Sequence, residues 1–139
     1  MKMNWITETV TALQPNEIFV FGSNETGFHG AGSAGFACRG IAANTWRTDD
    51  WFQAAMKSPV GSPARIGKYA VYGVARGLQQ GREGRSWAIA TVTRPGALRS
   101  VSRREIYFQL VALWNWLAEH PATTAVIAQI GEGYAGWTA

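Results

Sequence analysis

The sequence has few of the residues from which disulfides, metal sites and nucleophilic centres are built. Its 139 residues include one cysteine and two histidines. Cys38 cannot form an internal disulfide or a multi-cysteine metal site, and it falls in a predicted helix where it reads as a small buried hydrophobe. His29 and His120 are not expected to meet, so no zinc site is predicted. Acids are sparse near the glycine-rich segments and no G-x-S-x-G is present, which argues against magnesium binding and a Ser-His-Asp centre.

Long apolar runs are missing as well. No stretch approaches the roughly 18 apolar residues of a membrane-spanning helix. The first residues lack the apolar block of a signal peptide. We therefore expect a cytoplasmic protein with no membrane partner. With 47% hydrophobic and 16% charged residues, the chain can bury a core, and we predict one domain over residues 1–139.

Acids are also scarce in the middle of the chain. From Arg65 to Arg104 there are nine basic residues against one acid, Glu83, whereas the whole chain carries a net charge of only +4. Such an excess favours an anionic partner such as phosphate or nucleic acid. Solvated charges on separate loops would give the same composition, so this alternative stays open.

The segment that says most about a ligand site begins at Ile18. The apolar run Ile18–Phe21 ends at Gly22 and predicts a short strand buried on both faces. A glycine-rich turn follows and leads into a helix predicted over about residues 31–44. Ligands of open α/β sheets bind where strands end and helix N–H groups face an anion. The spacing matches neither common nucleotide-binding fingerprint, and a tight turn needed only for packing is the alternative.

The rest of the chain alternates between predicted strands and helices, which indicates an α/β fold with a partly parallel sheet. A capping box, in which a serine precedes a glutamate by three residues, marks the clearest helix. The predicted segments are a short helix or extended arm over 1–15, a helix capped at Thr48, a strand over Tyr69–Val74, a mobile basic loop over 77–85, a buried strand over Trp87–Val92, a helix from Ser102 and Glu105 to His120, and a strand over Thr124–Ile130.

A second glycine-rich segment, Gly131–Trp137, follows the last predicted strand. If the first and last strands are parallel, both glycine segments meet at one edge of the sheet and can hold a pyrophosphate between backbone amides. Asn24 could then bond a ribose hydroxyl, and His29 could serve as a general base or neutral donor. Glu132 could orient a water or accept a ribose hydroxyl. A structural His29 and a solvated Glu132 are the alternatives.

Three segments together resemble the macro-domain superfamily: VFGSNETGFHGAG over residues 20–32, SWAIAT over 86–91 and QIGEGYAGW over 129–137. They are most similar to the small macro-domain-like proteins of phages and prophages, with F-G-S-N-x-x-G-x-H-G-A-G-x-A early and I-G-x-G-x-A-G late. The resemblance covers about residues 17–137. It implies a three-layer α/β/α fold with a mixed, partly parallel sheet and a cleft for ADP-ribose or a related NAD-derived nucleotide.

The resemblance also implies roles for individual residues, and no metal or other cofactor is expected. Asn24 corresponds to the asparagine near the distal ribose, and Gly131–Gly136 to the diphosphate-binding loop. The ligand-binding set it implies is Gly22, Ser23, Asn24, Gly27, Gly30, Ala31, Gly32, Thr91, Gly131, Gly133, Tyr134, Ala135, Gly136 and Trp137, and the catalytic candidates are Asn24, His29 and Glu132.

Two departures from the family pattern affect these expectations. The DNA-directed relatives carry a catalytic lysine after a P-T strand motif, but here Thr91 is followed by Val92, so lysine chemistry is not expected. The sequence also stops at Ala139, where macro domains continue into a further helix and strand. A fold trimmed at its C-terminus, or a partner subunit over that side, is the expectation.

The leading hypothesis is therefore binding of an ADP-ribose-type nucleotide, with hydrolysis of glycosidic or ester ADP-ribosyl linkages left open. One alternative is a non-catalytic phage protein, in the host cytoplasm, that sequesters a nucleotide signal or inhibits a host protein. Another is a nucleic-acid binder that uses residues 65–104. ADP-ribosylated macromolecules and a second copy of this chain are further candidate partners.

Overall fold

A five-stranded mixed sheet with helices on both faces forms the centre of the computed structural model, which describes residues 2–5 and 12–127. The spatial order of the strands is β1-β5-β2-β4-β3. β3 runs antiparallel to β4, and the other described pairs are parallel. The mixed α/β architecture with a partly parallel sheet is therefore confirmed. The strands are β1 (Lys2–Trp5), β2 (Glu17–Asn24), β3 (Gly77–Gln80), β4 (Arg85–Val92) and β5 (Thr124–Ile127).

β2 lies at the centre of the sheet because its side chains are apolar on both faces. Ile18 and Val20 pack toward one helical layer, and Phe19 and Phe21 toward the other; none of them is more than 3% exposed. A strand with parallel neighbours on both sides is covered on both faces, so it reads as a continuous apolar run. The strand predicted at Ile18–Phe21 is confirmed and extends to Asn24.

Two short helices follow the first glycine loop, which spans residues 25–31 between β2 and α1. α1 (Gly32–Arg39) ends at Gly40, whose φ of 76° lies in the left-handed region, so the helix is shorter than the predicted range of 31–44. α2 (Asp50–Lys57) is capped by Asp49, whose carboxylate accepts a hydrogen bond from the Phe52 N–H at 2.7 Å. The predicted cap at Thr48 is therefore displaced by one residue, because the carboxylate at Asp49 reaches the first turn.

α3 (Arg103–Glu119) covers the other face of the sheet. The Ser102 hydroxyl accepts a hydrogen bond from the Glu105 N–H at 3.1 Å, which confirms the predicted helix start. Leu113 and Leu117 are buried against side chains of β2, β4 and β5. These two leucines are four residues apart and therefore lie on one face of the helix, the face that meets the sheet.

Gln109 of α3 completes the hydrogen bonding of β4. Its side-chain amide accepts from the Ala90 N–H at 2.6 Å and donates to the Ala90 carbonyl at 2.8 Å. β3 begins at Gly77 opposite Ala88, so it does not extend to Ala90. The side chain of Gln109 takes the place of a strand at this position.

Two predictions between residues 66 and 85 are wrong. Tyr69–Val74 is not a strand, because the Tyr69 and Ala70 N–H groups donate to the Ala37 carbonyl at the end of α1. The predicted mobile loop over 77–85 contains β3 and a tight turn, in which the Gly81 N–H donates to the Gly84 carbonyl at 2.8 Å. Both segments are folded onto their neighbours.

The predictions for the chain ends are tested only in part. The amino-terminal residues contribute β1, which pairs with β5 as an extended strand. The last predicted strand is present as Thr124–Ile127, and its remaining residues lie outside the described part. Within the described ranges, no helix combines the length and apolar character that crossing a bilayer would require.

Candidate functional site

Asn24, the last residue of β2, organises the glycine loop that leads to α1. Its Oδ1 accepts hydrogen bonds from the Thr26 hydroxyl and from the N–H groups of Thr26 and Phe28, both at 3.1 Å. Its Nδ2 donates to the Phe28 carbonyl at 2.8 Å. Asn24 is 6% exposed, and both ends of its amide are used inside the loop. Asn24 therefore holds the loop in shape; its contact with a ribose stays a prediction.

Gly27 lets this loop lie directly on the backbone of a second loop. Its φ is +70°, and a Cβ at this position would lie 2.3 Å from the Gly73 carbonyl carbon. The Gly73 N–H donates to the Gly27 carbonyl at 3.0 Å. Only glycine satisfies both the left-handed backbone and this close approach.

His29 is fully buried and ties the two loops together. Its Nε2 lies 2.9 Å from the Val74 carbonyl, so Nε2 carries the proton and donates. Its Nδ1 is buried without a hydrogen-bond partner among the described atoms. Burial lowers the pKa of His29 from its ordinary 6.5 to about 4, against the opposing effect of the Val74 hydrogen bond. His29 is therefore neutral at pH 7, and its geometry is that of a structural hydrogen-bond donor.

The buried imidazole makes stability depend on pH. The unfolded chain takes up a proton on His29 near pH 6.5, whereas the folded chain does so only near pH 4. Acid therefore favours unfolding in this window, and His29 should lower the free energy of unfolding by about 2 kcal/mol between pH 6.5 and pH 5. Urea denaturation across this range measures the slope.

Two variants separate this contribution from other titrating groups. His29→Gln can still donate to Val74 and should flatten the slope, whereas His120→Gln, which removes the exposed histidine, should retain it. Equal slopes in wild type and His29→Gln would contradict the assignment.

Three predicted ligand-binding residues lie where β2 and β4 end. Gly22 is partly exposed, and a Cβ there would meet only the Thr91 side chain, at 3.8 Å or more. The Ser23 hydroxyl donates to the Ala75 carbonyl at 2.6 Å, and the Thr91 hydroxyl donates to the Ser23 carbonyl at 3.4 Å. Gly22 is thus the place where the strand backbone has room for a close neighbour.

The start of α1 has no side-chain cap. Ala31 occupies the N-cap position and makes no side-chain hydrogen bond. The Gly32 N–H donates to the Ala42 carbonyl, and the Gly35 N–H donates to Ala31. Helix geometry leaves the N–H groups of Ser33 and Ala34 without an intrahelical acceptor. Such groups, with the helix dipole, favour an anion.

Arg39 joins the glycine loop to α2, a role that sequence reasoning missed. Its guanidinium donates to Asp49 at 3.0 Å, to Thr45 at 3.2 Å, and to the carbonyls of Gly30 at 3.2 Å and Ala43 at 2.8 Å. The side chain is only 2% exposed. Burial opposes ionisation of Asp49, but hydrogen bonds from Phe52 and Arg39 lower its pKa below the ordinary value. Because the partners lie on separate loops, no local spacing marks this cluster.

Phe28 anchors the glycine loop on the aromatic residues that follow it. Its ring meets Trp46, Phe52 and Tyr72 edge to face, at centroid distances of 4.9, 5.3 and 6.4 Å. A Cβ on Gly30 would lie 2.6 Å from this ring, which explains the glycine there. The loop is therefore held by packing as well as by hydrogen bonds.

The basic segment 65–104 is distributed over several structural elements. Arg76 pairs with Glu25 of the glycine loop and, at 3.4 Å, with Glu105 of α3. The Arg65 guanidinium lies over the Tyr72 ring, and that of Arg85 lies over Trp116. Arg76 is thus neutralised within the fold, whereas Arg65 and Arg85 pack on rings and keep their charge.

The second glycine segment lies outside the described residues. This applies to Gly131, Glu132, Gly133, Tyr134, Ala135, Gly136 and Trp137. β5, which precedes it, is parallel to β2, with Val20 opposite Ile127. The condition under which the two glycine segments were predicted to meet, namely parallel strands, is therefore satisfied.

Within ranges 2–5 and 12–127, no group of three or more histidine, cysteine, aspartate or glutamate side chains could hold a metal ion. Cys38 is buried, and burial raises the pKa of its thiol to about 12. Comparisons with protein-family models, curated proteins and solved structures find no match for this chain. A function is therefore proposed from the geometry of the glycine loop and from the sequence motifs at residues 20–32, 86–91 and 129–137.

Proposed function

We propose that this protein binds ADP-ribose or a related NAD-derived nucleotide at the carboxyl ends of its parallel strands. The supporting observation is the parallel pairing of β2 with both β4 and β5. Because of this pairing, the carboxyl ends of β2, β4 and β5 lie at one edge of the sheet. The central strand, β2, leads through the glycine loop into α1. Ligands of open α/β sheets bind in this position.

The phosphates would be bound mainly by backbone groups. The N–H groups of Ser33 and Ala34 at the uncapped start of α1 supply donors on one side. In this proposal, Gly131–Gly136 supplies donors on the other side, as in the family that the motifs resemble. The polar side chains of the first loop then act indirectly, since Asn24, Ser23 and His29 all hold backbone carbonyls or amides in place.

The same geometry favours binding without turnover. Two of the three catalytic candidates are closed off from solvent: Asn24 is buried with both ends of its amide bonded inside the loop, and His29 is fully buried, including its unpaired Nδ1. A general base must be able to reach the proton that it removes. We therefore prefer the reading in which the protein sequesters the nucleotide over the one in which it hydrolyses an ADP-ribosyl linkage.

Gly22→Ala tests the proposed position of the ligand. The new methyl group would lie in ordinary contact with Thr91, at 3.8 Å, so the fold should accept it. It would also occupy space between Gly22 and Thr91, two residues of the proposed ligand site, and we expect the Kd for ADP-ribose to rise about tenfold, or 1.4 kcal/mol. Isothermal titration calorimetry measures the affinity, and the melting temperature reports on folding.

Gly61→Ala is the control for binding. It lies in the loop after α2, where a Cβ meets nothing within 4 Å but the φ of +85° strains alanine, so the melting temperature should fall while the Kd is unchanged. Absence of heat and of a thermal shift with wild-type protein would refute the proposal. Wild-type affinity in Gly22→Ala would place the ligand elsewhere. Prolonged incubation of linked ADP-ribose substrates with the protein should leave them intact, and release of ADP-ribose would instead support hydrolysis.

A further inference from the structure

α3 carries an aromatic face that points away from the sheet. Tyr107, Phe108 and Trp114 are 62%, 49% and 54% exposed, and Val111 lies between them in partial exposure. Residues three, four and seven apart share a helix face, so these side chains form one patch. Leu113 and Leu117 are buried on the opposite side of the helix. The patch is therefore not needed to attach α3 to its own sheet.

We propose that a second copy of this chain packs on this face, with the two α3 helices antiparallel about a two-fold axis at Val111. The argument is the self-complementarity of the sequence in this register. A residue a given number of positions before Val111 on one helix lies beside the residue that many positions after it on the other. Tyr107 of one copy therefore lies beside Trp114 of the second copy, one position from exact register.

Charge follows the same register. Arg104, whose guanidinium lies over the Phe108 ring, lies seven positions before Val111, and Glu119 lies eight positions after it. On an antiparallel pair the two fall on the same side of the seam, so each copy brings an arginine to its partner's glutamate. Ala118, also at this end, allows close approach. Because of the two-fold axis, each of these contacts occurs twice in the dimer, which makes the interface closed.

The size of the patch fits the centre of a modest interface. Aromatic side chains offer about 150–250 Å² each, so the exposed fractions leave roughly 300 Å² on each copy from the three rings. A standard interface uses about 800 Å² per partner, with an apolar centre and a polar rim. The rings would form the centre, and Arg104, Asn115 and Glu119 would form part of the rim. We expect a dimer that depends on protein concentration.

A charge reversal and its rescue test the register. Sedimentation velocity of the wild type should show a concentration-dependent dimer. Arg104→Glu places two glutamates together and should give a monomer, and adding Glu119→Arg should restore the dimer. Arg94→Glu makes the same charge change on an exposed loop and should leave the dimer intact. A wild-type monomer at all concentrations, or a dimer that ignores Arg104→Glu, would overturn the proposal.

A cysteine at the axis provides a second measurement. Two helices packed 8–10 Å apart bring facing Cα atoms within disulfide reach, so Val111→Cys should give a covalent dimer when oxidised glutathione is added. Val60→Cys, at an 87% exposed site, should not. Cys38 is fully buried and does not compete. A monomer in which Trp114→Arg lowers the melting temperature would show instead that the chain covers this face itself, and would reject the dimer.

Discussion

Arg39→Met should lower the free energy of unfolding by about 2–3 kcal/mol, since it removes the buried arginine of an ion pair whose carboxylate is partly exposed. Asp49 would keep its charge at an 18% exposed position without the guanidinium that now lies 3.0 Å away. The Gly30 carbonyl would lose the Arg39 hydrogen bond, whereas the exposed Ala43 carbonyl would keep the Thr45 N–H. Methionine fills much of the arginine's volume, so the loss is due to charge and hydrogen bonding more than to a cavity.

Arg76→Met is the matched control for this prediction. Arg76 also contacts two carboxylates, Glu25 and Glu105, but its side chain is 43% exposed. Exposed ion pairs contribute about 0–1 kcal/mol, because water competes for both charges. Urea denaturation of both variants at pH 7 measures the contrast. Similar losses in both would mean that burial of Arg39 is not what makes it important.

Gly27→Ala should cost about 3 kcal/mol, from backbone strain together with forced movement of a packed neighbour. The alanine would have to adopt a φ of +70°, and its methyl group would lie 2.3 Å from the backbone of Gly73. Since Gly73 is hydrogen-bonded to Gly27, the two loops would have to separate. We also expect weaker nucleotide binding, because the loop after β2 would be displaced.

Gly61→Ala separates the two causes. Gly61 has a similar φ, +85°, but a Cβ there meets nothing within 4 Å. Its alanine variant should therefore lose only the conformational part, about 1–2 kcal/mol. Thermal and urea denaturation of both variants give the difference, which is the cost of the clash. Equal losses would show that the Gly27–Gly73 contact relaxes easily.

Elements with strong local signals could be predicted from the sequence. The apolar runs at Ile18–Phe21 and Trp87–Val92 identify strands buried on both faces, and Ser102 with Glu105 locates the start of α3. The prediction of a strand at Tyr69–Val74 was wrong, although this segment is rich in β-forming residues. Its backbone bonds to the end of α1, a partner that lies some 30 residues earlier and leaves no local pattern.

The site was predictable in outline more than in detail. The glycines that follow the buried strand β2 indicated a loop at this position. The predicted site also required parallel strands, and β2 is parallel to both β4 and β5. The inward orientation of Asn24 and His29 depends on carbonyls at Phe28 and Val74, which the sequence does not mark as partners. The role of Arg39 depends on partners in two segments, the glycine loop and the connection between α1 and α2. The contribution of Gly131–Gly136 and Glu132 stays a prediction.

The side chain of Gln109 has a consequence for the behaviour of the protein at high concentration. An open strand edge offers unpaired N–H and C=O groups to a strand from another molecule, which is a common route to aggregation. At Ala90, beyond the start of β3, both groups are already bonded to Gln109. A helix side chain thus leaves no free backbone partner at Ala90, the part of β4 that lies next to the proposed ligand site, for a strand of another molecule.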